Sequence, residues 1–173
     1  HRYNDVMDQI RIINTFKEYD DYDPIWGCNY ACAIGVTGDY YERLERLYDS
    51  GCRVFCIDVA HAHHILTGEA LDKIASHPNR KDITIIAGNI ATKDGAVFLT
   101  LCGADIIKVG IGGGSICSTR IETGHGVPNV SALLEISQYL NSYYPHVGII
   151  ADGGIKSAGD AVKALALGAN FVM

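Results

Sequence analysis

The sequence predicts an α/β fold, a (β/α)₈ barrel that is incomplete, with six of its strands present. Helical stretches alternate with short runs rich in Val and Ile, which is typical of parallel strands joined by helical crossovers. A glycine follows three of the helical stretches, at Gly51, Gly103 and Gly168, as expected for left-handed helix ends. Polar residues gather where the predicted strands end, and that edge carries function in such a barrel.

The predicted elements alternate along the whole chain. Apolar residues recur at helical spacing or form short uninterrupted runs that are typical of strands buried on both faces. We expect helices at residues 4–18, 38–50, 66–76, 93–102, 130–143 and 157–167. We expect strands at residues 30–36, 53–58, 83–88, 105–109, 147–151 and 170–173. An open doubly wound sheet would bind ligands beside one switch point, whereas polar residues at several successive strand ends favour the barrel.

Length and composition fit one globular domain. The chain has 173 residues, a net charge of −6 and 48% hydrophobic residues, and no linker divides it. It opens on His1 and closes on the apolar residues 171–173, so we expect one catalytic barrel domain over residues 1–173 that continues beyond both ends. A negative chain without a Lys/Arg cluster argues against binding nucleic acid or a membrane surface. No apolar run approaches the roughly 20 residues that span a bilayer.

Six cysteines without a secretion signal predict a reducing, cytoplasmic location. Cys28 with Cys32, or Cys52 with Cys56, would be the simplest disulfides. However, Cys52, Cys56 and Cys102 lie in or beside apolar runs, which favours cysteines that pack as small hydrophobic residues. The sequence has no Cys-x-x-Cys pair, which argues against a zinc site.

The segment with the strongest functional signal is residues 108–120, which begin at the end of a predicted strand. Glycines that let the backbone approach a ligand occupy positions Gly110, Gly112, Gly113 and Gly114. Cys117 follows them as a candidate nucleophile, and Thr119 lies two residues further on, where it can relay a proton. The alternative is a glycine-rich turn with an inert cysteine. A dinucleotide-binding fingerprint is disfavoured, because Ser115 stands where the third glycine is needed and no clear helix opens there.

Three other strand ends carry polar residues. Asp152, Gly153 and Gly154 follow one strand; two consecutive glycine amides can hold phosphate oxygens, and the carboxylate can accept hydrogen bonds from a ribose. A tight turn before a helix is the alternative. Asp58 ends another strand, and Asn89, which offers both a donor and an acceptor, follows a third.

Three histidines, His61, His63 and His64, follow Asp58 closely. A metal site is one interpretation. No acidic or cysteine ligand accompanies the histidines locally, so a solvated loop or a supporting role near the site is favoured.

The motifs resemble those of the IMP dehydrogenase/GMP reductase family. Residues 108–120, together with 123–128, resemble its signature loop, and residues 150–155, with 159–160 and 163–165, resemble its phosphate strand. His1, Arg2, Tyr3 and Gln9 resemble the segment after its second barrel strand. The resemblance covers essentially the whole chain. It implies a (β/α)₈ barrel of which about strands 3 to 8 are present here, usually a homotetramer, with a purine nucleotide bound over the strand ends.

The resemblance also implies roles for individual residues. Cys117 would attack purine C2 to form a thioimidate, and Thr119 would help to move protons. Nucleotide binding would involve Ser115, Asp152, Gly153 and Gly154. The nicotinamide cofactor would face Asp58, Val59, Ala60, Asn89, Ile111 and Gly112. A monovalent cation such as K⁺ would be held near Gly112, Gly114, Cys117 and Arg120.

Two features favour the GMP reductase branch, in which GMP and NADPH give IMP and ammonia. The tripeptide 58–60 reads Asp-Val-Ala, and only residues 18–27 stand where many dehydrogenases insert two regulatory CBS modules. IMP dehydrogenase, which oxidises IMP to XMP with NAD, is the alternative, since some dehydrogenases lack the modules and residues 1–3 are more dehydrogenase-like. A catalytically silent nucleotide-binding fragment is a further alternative. Gly113, Ser118 and Ala62 replace a proline, a threonine and a glycine that are common in the family.

Overall fold

The computed structural model describes residues 3–18 and 30–173. Within these ranges, helices and parallel strands alternate. The helices are α1 Val6–Glu18, α2 Tyr40–Asp49, α3 Ile65–Ala75, α4 Lys93–Leu101, α5 Thr119–Thr123, α6 Asn129–Tyr143 and α7 Ala158–Ala166. The strands are β1 Ala31–Ile34, β2 Val54–Asp58, β3 Thr84–Ile90, β4 Ile106–Val109, β5 Gly148–Ala151 and β6 Phe171–Val172.

The six strands form one parallel sheet whose spatial order is the order of the sequence, from β1 to β6. A doubly wound sheet reverses its strand order at a switch point, and this sheet has no reversal. The sheet curls into a half-barrel that carries helices on its outer side. The barrel prediction is therefore confirmed, as an incomplete barrel, and the doubly wound alternative is wrong.

The core lies between the outer face of the sheet and the helices. Alternate strand residues point to this face, and those of the central strands are fully buried: Phe55, Ile57, Ile85, Ala87, Ile107 and Ile149. The helices contribute a matching apolar layer that includes Leu44, Leu47, Ile74, Leu99, Ile136 and Leu140. Burying a large apolar side chain contributes roughly 1.5–3 kcal/mol, so this layer fixes the strands whose ends form the site.

Most element bounds agree with the prediction to within about two residues. The predicted left-handed glycines are present, with φ values of +94° at Gly51, +94° at Gly103 and +102° at Gly168. Helix α5 and a 3₁₀ turn at Arg80–Asp82 were not predicted. Both are too short to show apolar periodicity.

The third strand runs two residues past the end that the sequence predicts at position 88. Strand β3 continues to Ile90, with Gly88 opposite Lys108 and Ile90 opposite Val109. Asn89 is therefore an extra residue on β3, a β-bulge. A bulge bends its strand and redirects a side chain, which explains how Asn89 lies within a strand and still lines the site described below.

Candidate active site

The carboxyl ends of the strands surround a pocket of about 280 Å³. Its lining consists of Tyr3, Asp58, Val59, Ala60, Asn89, Lys108, Gly110, Ile111, Gly112, Cys117, Thr119 and Asp152. Every residue that the sequence assigned to the cofactor is in this lining, together with both candidate catalytic residues and Asp152. The other assigned residues, Ser115, Gly114, Arg120, Gly153 and Gly154, lie outside it. The predicted strand ends therefore converge on one cavity.

Cys117 and Thr119 lie side by side at the end of the glycine-rich loop. The Cys117 Sγ is 3.2 Å from the Thr119 Oγ1. The hydrogen bonds of the Thr119 side chain and backbone lower the pKa of the thiol, aided by the positive charge of Arg120 and the backbone of Gly112; burial opposes them. A lowered pKa increases the fraction of thiolate, the nucleophilic form. Cys117 is thus prepared for addition to an electrophilic carbon.

Arg120 braces the same loop. Its guanidinium donates to the carbonyl oxygens of Val127, at 2.8 Å, and Ile111, at 3.3 Å. The side chain runs past Gly112 and Gly126, where an added β-carbon would lie 2.6 Å from Arg120 atoms. The Gly114 carbonyl, one of the predicted cation ligands, accepts a hydrogen bond from the Cys117 amide. Arg120 therefore joins the start of the loop to the segment after α5.

A charged network crosses the floor of the pocket, and its centre is Lys108. The Lys108 Nζ donates to the Asp152 Oδ2 at 2.8 Å and to the Asp58 Oδ1 at 3.0 Å. Lys108 is only 6% exposed. Burial alone would lower its pKa, but the hydrogen bonds and charges of Asp152 and then Asp58 outweigh burial and raise the pKa above its ordinary value. Lys108 therefore remains a cation between two carboxylates.

Sequence reasoning did not assign a role to Lys108. A signal was present, because Lys108 interrupts the apolar run of β4, Ile-Ile-Lys-Val. A lysine in a buried strand is seldom without a charged partner. Its partners lie 50 and 44 residues away along the chain, so spacing gave no indication of them.

The side-chain amide nitrogen of Asn89 donates two hydrogen bonds within the protein. The Nδ2 donates to the Gly110 carbonyl oxygen at 2.6 Å and to the Asp152 Oδ2 at 2.7 Å. Both amide hydrogens are thus used inside the protein, and the Oδ1 is the group that Asn89 can offer to a ligand. The Asp152 Oδ2 in turn accepts hydrogen bonds from both Asn89 and Lys108.

The glycine pair after β5 packs against the glycine-rich loop. Gly153 and Gly154 have φ values of +84° and +79°, and a β-carbon on Gly153 would lie 3.0 Å from the Gly114 nitrogen. The Asn129 Nδ2 donates to the Gly153 carbonyl oxygen at 2.9 Å. Asn129 was also not assigned by the sequence reasoning. It joins the start of α6 to the two loops.

A second, mostly apolar cavity of about 140 Å³ lies behind the glycine pair. Helices α6 and α7 form its walls, and Gly153, Gly154 and Asn129 line its edge. The buried Asn129 Oδ1 has no hydrogen-bond partner among the described residues. Ser115 is exposed. The residues assigned to the phosphate therefore adjoin the main pocket without lining it.

The three histidines have different surroundings. His64 caps α3, and its Nδ1 accepts a hydrogen bond from the Leu66 amide at 3.2 Å. The His63 ring packs on Phe98 with centroids 5.1 Å apart, and His61 stacks on His63 at 6.4 Å. No group of three or more His, Cys, Asp or Glu side chains suited to a metal occurs in the described ranges. His64 has a structural role in α3.

Of the three thiols that the sequence predicts to be packing residues, Cys52 belongs to the apolar core and Cys102 packs against it, whereas Cys56 lies near Lys108, Asp58 and Asp152. Cys52 is fully buried, and its Sγ donates to the Val54 carbonyl oxygen at 3.2 Å. Cys56 and Cys102 are half-buried free thiols. Burial raises the pKa of Cys56 to about 11. Position 28, one partner of the other disulfide considered, lies outside the described residues.

A family model for the IMP dehydrogenase / GMP reductase domain matches residues 1–173. The chain belongs to the IMP dehydrogenase/GMP reductase family. Members of this family are oxidoreductases of purine nucleotides. The resemblance found in the signature loop is thereby confirmed.

Relatives from both branches of the family are similar to this chain. The inosine-5′-monophosphate dehydrogenase of Streptococcus pyogenes is 49% identical over 144 residues, which cover 83% of the chain and 28% of that protein. The dehydrogenase structure from Legionella pneumophila is 43% identical with a TM-score of 0.82, over 100% of this chain and 48% of that one. A cysteine-to-alanine variant of GMP reductase from Trypanosoma brucei, in complex with guanosine 5′-monophosphate, is 40% identical with a TM-score of 0.78. The match covers 82% of this chain and 29% of that one.

This IMP dehydrogenase/GMP reductase chain thus spans less than half of the length of these relatives. The described helices include none that is long and apolar enough to cross a membrane.

Proposed function

We propose that the protein is a purine-nucleotide oxidoreductase in which Cys117 adds to C2 of the purine base. The observation that carries this proposal is the pairing of Cys117 with Thr119, 3.2 Å apart at the wall of the strand-end pocket. The lowered pKa of Cys117 supports attack at neutral pH, since the thiolate is the reactive species.

The covalent step is an addition to C2 followed by an elimination from it. The Cys117 thiolate forms an S–C2 bond, the C2=N3 π-electrons move to N3, and N3 takes up a proton. With GMP, N3 gives up its proton and the protonated amino group leaves C2 as ammonia, which gives the thioimidate. With IMP, the C2 hydrogen would leave as a hydride, for which a bound nicotinamide would be the acceptor. Thr119, whose hydroxyl can donate and accept, moves protons beside Cys117. A nicotinamide cofactor, when bound, supplies a hydride to C2 or accepts one from it.

Nucleotide binding falls to Asp152, Ser115, Gly153 and Gly154 in this proposal. The Asp152 Oδ2 is held by Lys108 and Asn89, which leaves the other carboxylate oxygen to accept from ribose hydroxyls. The glycine pair presents consecutive backbone amides suited to phosphate oxygens. The guanosine 5′-monophosphate complex of the trypanosomal relative supports a purine nucleotide as the ligand class.

The cofactor faces Asp58, Val59, Ala60, Asn89, Ile111 and Gly112 in this proposal. The chemistry of these residues fits a nicotinamide. Asp58 and the Asn89 Oδ1 are acceptors for the carboxamide N–H groups, and Val59 and Ala60 are small and apolar beside a flat ring. NADPH accompanies the reductase reaction and NAD the dehydrogenase reaction. A potassium ion near Gly112, Gly114, Cys117 and Arg120, and a homotetrameric assembly, belong to the same proposal.

Reduction of GMP to IMP and ammonia is the first candidate reaction. The Asp-Val-Ala tripeptide at 58–60 favours it, and all three of its residues line the pocket.

Oxidation of IMP to XMP is the second candidate, and a specific observation favours it. The dehydrogenase from S. pyogenes is 49% identical over 144 residues, against 40% for the trypanosomal reductase. The three pocket residues thus favour the reductase reaction, whereas the similarity of most of the chain favours the dehydrogenase reaction.

Product analysis of the full-length protein tests the proposal. GMP with NADPH is compared with IMP with NAD, and the products are separated by chromatography. Conversion of either pair is expected to disappear with Cys117→Ala and to depend strongly on Thr119. Full turnover by the Cys117→Ala variant would exclude the covalent mechanism. Conversion of neither pair by a folded protein that binds nucleotide would favour a catalytically silent member.

A further inference from the structure

Lys108 joins two residues that the proposed function assigns to different ligands. Asp152 belongs to the nucleotide side of the pocket and Asp58 to the cofactor side. Both accept a hydrogen bond from the same Lys108 nitrogen, at 2.8 and 3.0 Å. The two carboxylates are therefore held close together, and the cation between them offsets their mutual repulsion.

The backbone is shaped to allow this bridge. Asp58, Gly88 and Lys108 are aligned on three adjacent strands, with Gly88 in the middle. A β-carbon at Gly88 would meet the Lys108 Cβ and carbonyl oxygen. The missing side chain on β3 is what lets Lys108, on β4, reach Asp58 on β2.

We propose that Lys108 is a positioning residue that couples the nucleotide side of the pocket to its cofactor side. This inference rests on the proposed function, since it concerns the same site. Lys108 holds Asp152 in position for the ribose and Asp58 in position for the cofactor. The position of the carboxylate that meets one ligand therefore depends, through Lys108, on the carboxylate that meets the other ligand.

The charged groups near Lys108 determine the effect of replacing it with a neutral residue. The titratable groups around it are Cys56 and Asp58 on β2 and Asp152 after β5, with Tyr3 and Cys117 lining the same pocket; β3 contributes the uncharged Asn89. The Cys56 thiol, with its pKa of about 11, is neutral at physiological pH. Without Lys108, Asp58 and Asp152 remain close together without a cation bonded to either, and their mutual repulsion is no longer offset.

The test is nucleotide binding without cofactor, measured by calorimetry on the full-length protein with GMP and with IMP. Lys108→Met is expected to weaken binding about tenfold at pH 8, because a half-buried carboxylate pair loses its partner. The ratio of variant to wild-type affinity should rise as the pH falls, because protonation of either carboxylate removes the repulsion that Lys108 offsets in the wild-type protein. Lys108→Arg should keep a ratio near one throughout.

Adding Asp58→Asn to Lys108→Met supplies the decisive readout. The inference predicts that this second change restores much of the nucleotide affinity at pH 8, because it removes one of the two unpaired carboxylates. General damage to the fold would not be repaired by a substitution on the cofactor side. If Lys108→Met does not fold, Lys108→Gln provides the same neutral, pH-dependent comparison.

Lys81→Met is the matched control, since Lys81 is exposed in the 3₁₀ turn that precedes β3, away from the strand ends. It should leave the affinity and its pH dependence unchanged. A wild-type pH profile in folded Lys108→Met, or no recovery with Asp58→Asn, would overturn the inference. Failure of the proposed function would differ: the wild-type protein itself would not bind GMP or IMP.

Discussion

The side-chain amide of Asn129 fills the space that a β-carbon on Gly113 would occupy. Asn129 also donates to the Gly153 carbonyl oxygen at 2.9 Å, so it cannot withdraw without losing that hydrogen bond. The glycine at position 113 and the asparagine at position 129 are thus mutually adapted. The position of the loop that carries Cys117 depends on this pair.

We expect Gly113→Ala to lower the free energy of unfolding by about 1–3 kcal/mol, the usual range for a forced side-chain displacement. Asn129→Ala combined with Gly113→Ala should cost less than the two single changes added together, because the smaller residue removes the overlap. Denaturant unfolding of the full-length protein measures both. Gly114→Ala is the matched control, since its nearest contact would be an ordinary 3.5 Å to the Cys117 Cβ. Strict additivity would contradict the prediction.

A second prediction concerns the hydroxyl beside the nucleophile. Hydrogen bonding by Thr119 is the largest influence that lowers the pKa of Cys117. Thr119→Val removes the hydroxyl, so the pKa should rise and the pH profile of alkylation by iodoacetamide should move to higher pH. At neutral pH we expect the rate to fall by about threefold to tenfold. Thr119→Ser keeps the hydroxyl and should keep the wild-type profile; a profile unchanged by Val would show that Thr119 does not activate Cys117.

The periodic features of the fold were predictable from the sequence because they repeat locally. Each strand is a short apolar run, and each left-handed glycine directly follows its helix. Since strand ends of a parallel sheet share one edge, Asp58, Cys117 and Asp152 were expected together, and all three line one pocket. Local pattern and sheet geometry are sufficient for that much.

The contacts within the pocket were not predictable, since they depend on reach across strands. Lys108 meets Asp58 only because Gly88 leaves a gap between them. Asn89 lines the pocket through a bulge, which changes the strand by one residue and leaves no periodic signal. Asn129 meets Gly153 from 24 residues away, at the far end of the intervening elements. Each contact couples positions that sequence spacing does not relate.

A third prediction compares Cys117 with Cys56, which lies on β2 near Lys108. Burial raises the pKa of Cys56 to about 11, whereas the pKa of Cys117 is lowered. At pH 8 only about one Cys56 thiol in a thousand is ionised. Limited alkylation followed by peptide mass spectrometry should therefore label Cys117 well before Cys56. Bound GMP or IMP should protect Cys117; equal labelling of both thiols would contradict the prediction.

A fourth prediction concerns the glycine at the junction of β4 and the loop. Gly110 has a φ of +140°, and a β-carbon there would overlap the Asp152 carbonyl oxygen. Gly103 also has a positive φ, +94°, but a β-carbon there would have nothing within 4 Å. An alanine at position 103 would therefore introduce backbone strain alone, whereas an alanine at position 110 would introduce both strain and steric overlap.

Gly103→Ala should cost about 1 kcal/mol, the strain of a left-handed alanine. Gly110→Ala should cost about 3 kcal/mol or more, because β4 and the segment after β5 must also move apart. That movement also separates Lys108 from Asp152, so Gly110→Ala should weaken nucleotide binding while Gly103→Ala leaves it unchanged. Thermal unfolding and calorimetry on both variants measure the two effects. If both variants lost the same free energy of unfolding, the segment that contains Asp152 would move without resistance. The interpretation that Lys108 and Asp152 are held rigidly together would then be wrong.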